Sequence, residues 1–394
     1  MQRWCAGLVW GGGDMDKAGR RDQKRDGAVT ASGEQRLLSL DALRGFDMFW
    51  IMGGDTLANA VLAVFPQPWA VRLREQFEHV EWAGFRFYDL IFPLFLFLVG
   101  CVIPYSLGKY QSQPSAAVWR ILRRVSLLLL LGLIANGLLR LQPGSLRYCG
   151  VLQRIGICYG LAALLFLKFR VRGLMLITLA ILLGYWAVLA LVPAPGGMRG
   201  DYTKAGNLAG WLDRRLLPGQ IPAQWYGFGD NEGLLSTIPA VSTVLLGVLS
   251  GLWLKSGWSG LVKAGGLAVA GVLLVSGGYE WSRWFPIIKN IWTSSFVLVA
   301  GGFSLLLLSV FYLLIDVVGL RRPAFFWSVI GMNAIAIYMV PRFVDFDRMA
   351  VFFLGGTARL AGVQWGAVVL ATGALAGQWL FLYWLYRTRT FLRL

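Results

Sequence analysis

Apolar residues recur along most of the chain in runs of about twenty, broken by short segments rich in Gly, Pro, Lys and Arg. At 1.5 Å per residue, a helical run of that length crosses a hydrocarbon layer of about 30 Å. The pattern predicts spans at residues 40–64, 87–107, 121–139, 149–168, 173–193, 233–254, 261–279, 292–315, 325–342 and 365–386. The expected fold is therefore all-α, a polytopic transmembrane helical bundle of ten spans. The shorter stretch MAVFFLGGTARLAG at 349–362 leaves an eleventh, or a re-entrant segment, open. Residues 1–36 carry no such run and hold RRDQKR at 20–25. They read as a disordered basic cytoplasmic tail ahead of a membrane domain at 37–394.

Composition agrees: 57% of residues are hydrophobic, 18 are Trp and only 14% are charged, too few to cover a soluble domain. A net charge of +17 suggests nucleic acid at first sight. No nucleic-acid-binding motif accompanies it, and on a membrane topology it reads as an orientation signal and an attraction to anionic lipid. Lys and Arg concentrate in the segments on the N-terminal side of the bilayer, so both termini are expected in the cytoplasm. That arrangement sends residues 194–232 and the loop after the first span outward. The four cysteines form no CxxC pair, and Cys101 and Cys158 lie inside apolar runs. With a single histidine, neither a disulfide framework nor a metal site is expected.

The first span is not an ordinary anchor. At 100° per residue, Asp41, Arg44, Asp47, Asp55 and Asn59 share about a third of its circumference. Arg44 and Asp55 stand about 16 Å apart along the axis. A charge at mid-membrane costs at least ~2.5 kcal/mol, so the stripe must face protein or water. It is either an ion pair that locks the bundle or a polar passage from the inner face toward the outer. Gln153, Arg154, Lys289, Asn290, Asn333, Tyr338 and Arg342 add polar groups in other spans. GVLSG at 247–251 has the form of a close-packing face. The outer loop 194–232 is rich in Gly, Asp, Asn and aromatics, a mixture suited to carbohydrate. The chain's one histidine, His79, lies in FEHVEWAGFRFYDLIFP at 77–93.

SLDALRGFDMFWIMGGD, EHVEWAGFRFYDLIFPLFLFLVGCVIPYSL, GVLQRIGICYG, GNLAGWLDRRLLPG, DNEGLLSTIPAVSTVLLGVLSG, KNIWTSSFVL and GMNAIAIY occur in this order. From about residue 36 onward the sequence resembles the heparan-α-glucosaminide N-acetyltransferase family in its bacterial branch, within the wider transmembrane acyltransferases. The resemblance implies a multi-pass protein of the bacterial inner membrane that takes acetyl from cytosolic acetyl-CoA, a co-substrate, and delivers it to a terminal glucosamine across the bilayer. It implies that His79 is catalytic and that Trp82, Gly84, Asp89, Phe92 and Pro93 complete its pattern. Where the animal enzymes carry an important Asn, this chain has Asp55, a carboxylate that accepts hydrogen bonds but cannot donate them as an amide can.

These residues suit acetyl transfer. A histidine, with an ordinary pKa near ~6.5, can take the proton released as an amine attacks a thioester. Asp55 is expected to hold the amine or to orient His79. Trp82, Asp89, Asp230, Glu232, Lys289 and Asn290 are the expected acceptor-sugar contacts at the outer mouth. Arg44, Arg124, Arg154 and Asn333 are expected at the CoA site, with Arg120 and Arg123 near Arg124. Partners are then a glycan, acetyl-CoA, the lipid bilayer and, in an open oligomeric state, a second copy; nucleic acid is not among them. Two rival functions stay open: a proton-coupled sugar transporter, which would also use a buried Arg/Asp stripe, and an O-acyltransferase of envelope polysaccharide. A purely structural scaffold leaves the stripe unexplained.

Overall fold

A computed structural model describes residues 37–110, 113–140, 146–219, 221 and 227–392. The basic tail expected at 1–36 and residues 220 and 222–226 of the loop at 194–232 lie outside the described residues. Among those described there is no β-strand, only the isolated bridges Ala83–Ile288 and Arg147–Gly219. The long helices are α1 (Leu38–Phe49), α2 (Asp55–Ala63), α4 (Ile91–Leu107), α5 (Pro114–Ala135), α6 (Val151–Lys168) and α7 (Val171–Leu191). They continue as α9 (Thr237–Lys255), α10 (Gly260–Trp281), α11 (Ser294–Tyr312), α12 (Arg321–Met332), α13 (Ala334–Met339), α14 (Phe346–Leu360) and α15 (Gly362–Arg387). Two short helices, α3 (Pro68–Glu75) and α8 (Leu208–Leu216), sit in the loops.

Each span expected from hydropathy falls on helix, but not all are simple crossings. By length and composition, seven helices among the described residues can cross a membrane, or eight if α12 and the segment Ala334–Arg342, bent by 60°, count as one. The first span is interrupted by a π turn at Trp50–Gly54, where Gly53 takes φ 117°, a backbone that favours glycine. The segment at 121–139 belongs to α5, whose arginines lower its apolar character. The stretch 349–362 is the helix α14, paired with α15 as a hairpin.

Glycines set the closest approaches. A Cβ at Gly100 of α4 would sit 2.0 Å from the Val244 carbonyl oxygen, and one at Gly247 of α9 would sit 2.0 Å from that of Phe97. GVLSG is thus a packing face within the chain, since Gly251 meets Cys101 in the same way. Gly45 of α1 and Gly331 of α12 interlock similarly, 1.7 Å from Trp327 O and 1.9 Å from Asp41 O. The main core gathers α4, α6, α9 and α11 around Phe97, Leu98, Tyr159, Val244, Trp292 and Phe296. The polar stripe is turned inward, as the cost of charge in lipid demands: Asp41 and Asp47 are buried, and Arg44 is half-buried, 3.5 Å from Asp41 and beside Asp47.

Candidate functional site

The loop between α3 and α4 is held at both ends. Tyr88 N donates to Gln76 O at 3.0 Å, and Gly84 N donates to Ile287 O at 2.8 Å, next to the Ala83–Ile288 bridge. Gly84 takes φ 131°, so the turn that makes this bridge requires glycine. Trp82 donates its indole N–H to Tyr202 O at 2.9 Å, and Glu81 pairs with Lys204 at 2.9 Å. These contacts dock the His79 loop on the segments carrying Lys289 and Tyr202. Trp82, expected to touch sugar, fastens one loop to another.

Within that frame His79 Nδ1 lies 2.8 Å from Asp89 Oδ1. Asp89 is fully buried, and its second oxygen accepts Arg86 N at 3.1 Å and Val80 N at 3.4 Å. It was expected to contact substrate; its carboxylate is instead spent on the histidine and its own loop, with no surface left for a sugar. The imidazole is 53% exposed. Lys289 Nζ stands 3.0 Å from His79 Nδ1, 3.4 Å from Nε2 and 3.3 Å from Asp89 Oδ1. Burial pushes the Lys289 ammonium below the usual lysine range, and Asp89 and Glu232 oppose that shift. Asp55 does not reach His79 directly: its carboxylate meets the Tyr88 hydroxyl, and the Tyr88 ring lies 4.9 Å from the imidazole, centroid to centroid. The orienting carboxylate is Asp89, and Asp55 stands one tyrosine away.

A second cluster abuts the first. Arg147 Nε donates to Asp230 Oδ2 at 2.8 Å, and its Nη2 bonds both Asp230 and Glu232. Burial disfavours its charge, but these two carboxylates outweigh that and hold Arg147 above the usual arginine value. Asp230, expected to bind sugar, is buried under this clamp; Glu232 remains half-buried between Arg147 and Lys289. Asn290 is half-buried next to Lys289. Beneath the clamp, Asn207 caps α8 by accepting Gly210 N, and α8 presents Asp213. Asp213 accepts N–H groups from Asp230 and Leu234 at 3.2 and 2.9 Å. Burial nevertheless pushes its carboxyl up to about 6. Arg147 carries no motif of its own and pairs with residues 83 and 85 positions away, so sequence gave no sign of it. Tyr88 was inside the quoted pattern but unmarked.

The residues expected at a CoA site do not form one group. Arg154, buried in the first turn of α6, donates to Ser236 and Gly233 O and lies 4.8 Å over the Trp292 ring. That places it near the Lys289 loop, and its Nε and Nη1 have no hydrogen-bond partner among the described residues. Arg124 lies elsewhere, with Arg120, Arg123, Trp119 and Tyr159 around a cavity of about 340 Å³. Its guanidinium stacks 4.4 Å over Tyr159, and its Nε is buried without a partner. Asn333 sits at the break between α12 and α13. It is buried, donates to Thr390 O at 3.2 Å and accepts Leu392 N at 3.1 Å, so its amide ties down the C-terminal segment.

Residues 36–197 match the family model described as heparan-alpha-glucosaminide N-acetyltransferase, catalytic. Two curated relatives carry the name heparan-alpha-glucosaminide N-acetyltransferase. The chain is 30% identical to the one from Homo sapiens over 327 residues, covering 67% of this chain and 48% of that protein. It is 29% identical to the one from Mus musculus over 320 residues, with the same coverage. The chain spans about half the length of the curated relatives it matches. The resemblance drawn from the ordered motifs is borne out.

Proposed function

We propose that this chain, a relative of the heparan-α-glucosaminide N-acetyltransferases through its catalytic region, is itself a membrane N-acetyltransferase. It moves acetyl from cytosolic acetyl-CoA to the amine of a glucosamine-type sugar on the periplasmic side of a bacterial inner membrane. In this reading the chain crosses ten times with both termini inside, which turns His79 outward and the Arg124 cavity inward.

One observation carries the proposal: a half-exposed imidazole fixed at Nδ1 by the buried Asp89 carboxylate, with the Lys289 ammonium beside its Nε2. This is the arrangement of a general base whose orientation is set by a carboxylate. The amine nitrogen attacks the thioester carbonyl carbon while His79 Nε2 takes its proton. The new C–N bond forms, the C–S bond breaks, and the proton passes to the departing CoA thiolate, giving the amide and free CoA. Charge developing on the carbonyl oxygen is met by Lys289. Arg124, with Arg120 and Arg123, takes the CoA phosphates, and Arg44 lines the path between. Transfer is direct, without an acetyl-histidine.

The test uses purified protein in liposomes, with labelled acetyl-CoA on the Arg124 side and glucosamine on the other. Labelled N-acetylglucosamine is expected, and its loss in folded His79→Ala. Full activity of that variant overturns the role of His79. Sugar uptake without acetyl-CoA assigns the chain to the carriers, and parallel double-reciprocal lines would indicate the covalent route.

A further inference from the structure

A cavity of about 540 Å³ opens between the first span, the turn at 341–347 and α15, and none of His79, Asp89 or Lys289 lines it. Its rim is apolar and exposed at Ile51, Phe343 and Val344. Ile51 stands roughly 20 Å along the helix from Leu38, the middle of a crossing, where an exposed side chain faces acyl chains. Gln378 stands in its wall, and Thr56, Arg342, Asp345 and Asp347 add polar groups exposed at its opening. Gln378 is only 6% exposed. Its Nε2 donates to Met52 O in the π turn at 2.8 Å, while its Oε1 is buried with no donor among the described residues. Arg342 is committed to Ala135 O and Tyr338 O at 3.2 and 3.0 Å. Asp345 is committed to Arg348, whose N donates to Oδ1 at 2.9 Å and whose Nε pairs with Oδ2 at 3.1 Å. The groups left open are acceptors, the Gln378 amide oxygen and the Asp347 carboxylate, which take hydroxyl and ammonium donors. An apolar rim at bilayer depth takes hydrocarbon.

We propose that this cavity receives the acceptor from the bilayer: an amino sugar carried on a lipid tail. The head lies against Gln378 and Asp347, and the tail leaves past Ile51 and Phe343. Thr56 of the lining follows Asp55 in α2, within one turn of helix of the carboxylate that bonds Tyr88, so the head has a short path from the cavity to the His79 side. The inference rests on the N-acetyltransferase reading and adds the class of acceptor to it.

The full chain in lipid nanodiscs is given acetyl-CoA with either hexadecyl glucosaminide or free glucosamine. The lipid form is expected to have a kcat/KM at least tenfold higher. Gln378→Leu should cut that ratio fivefold or more, and Asp347→Asn serves where the first variant fails to fold. Equal use of both acceptors, or an unchanged ratio in both variants, overturns the proposal. A diazirine-tailed glucosaminide, applied without acetyl-CoA, should label residues 341–347 or α15 and lose that labelling in Gln378→Leu. Labelling without acetyl transfer leaves the site standing and sinks the enzymatic reading. Transfer to free glucosamine without labelling does the reverse. Cross-links from Phe343 to a second copy would make the cavity an interface and overturn the site.

Discussion

At the scale of the residue, His79 derives its chemistry from Asp89, since a half-exposed imidazole without a fixed partner samples both tautomers and many orientations. Asp89→Asn keeps the volume and replaces the acceptor at His79 Nδ1 with an amide, so kcat should fall by about a hundredfold or more with KM changing little, as steady-state kinetics would show. Asp55→Asn keeps an oxygen that can accept the Tyr88 hydroxyl and should retain activity within about tenfold, whereas Asp55→Ala should lose it. Equal activity of the two variants would remove Asp55 from the site. Asp213 gives a pH test. Its folded value of about 6 lies above the ordinary carboxylate value of 3.8, so the folded state binds the proton more tightly than the unfolded. Stability from this group is present below about pH 4 and is lost as pH rises to about 6, by roughly 3 kcal/mol. Hydrogen exchange at residues 227–236 should therefore show wild type losing protection relative to Asp213→Asn over that window; a pH-independent difference would contradict it. His79 was legible because the chain has one histidine in a specific pattern. Its bond to Asp89 was not legible, because sequence spacing does not say which carboxylate of the loop turns inward.

At the scale of the element, hydropathy located the helices because burial in lipid demands about twenty apolar residues wherever a chain crosses. It missed the breaks. The π turn at Trp50–Gly54 and the 60° bend at Asn333 depend on one glycine conformation and on an amide tied to a distant C-terminal segment. Neither alters the apolar count. The Arg147 clamp was hidden for a similar reason, because its partners meet only after α6 has carried the chain away and α7 has returned it to the same end. Close packing makes a sharper forecast. Gly247→Leu forces a side chain into the Phe97 carbonyl and should destabilise the protein by about 3 kcal/mol or more, or prevent folding. Gly265→Ala and Gly277→Ala on α10 meet nothing within 4 Å and should be neutral or slightly stabilising. Thermal midpoints in one detergent compare the three; equal losses would show that α4 and α9 do not approach as described.

At the scale of the molecule, two polar ends are joined through an apolar bundle. Arg124 and its cavity stand at one, and the His79, Lys289 and Glu232 cluster at the other. The first span, with buried Asp47 and half-buried Arg44 and Asp55, runs between them. Single cysteines should report the sidedness. Lys204→Cys in the outer loop is expected to react with an impermeant maleimide in intact cells, and Trp258→Cys only after lysis; the reverse pattern inverts the topology. The central claim is that His79 serves as the base for acetyl transfer across the membrane. Its most direct measurement is label from acetyl-CoA, supplied on the Arg124 side of sealed liposomes, appearing in N-acetylglucosamine on the other side. The account predicts transfer by wild type and a loss of at least a hundredfold in folded His79→Ala. Equal transfer by both proteins, or product only on the side that received acetyl-CoA, would contradict it.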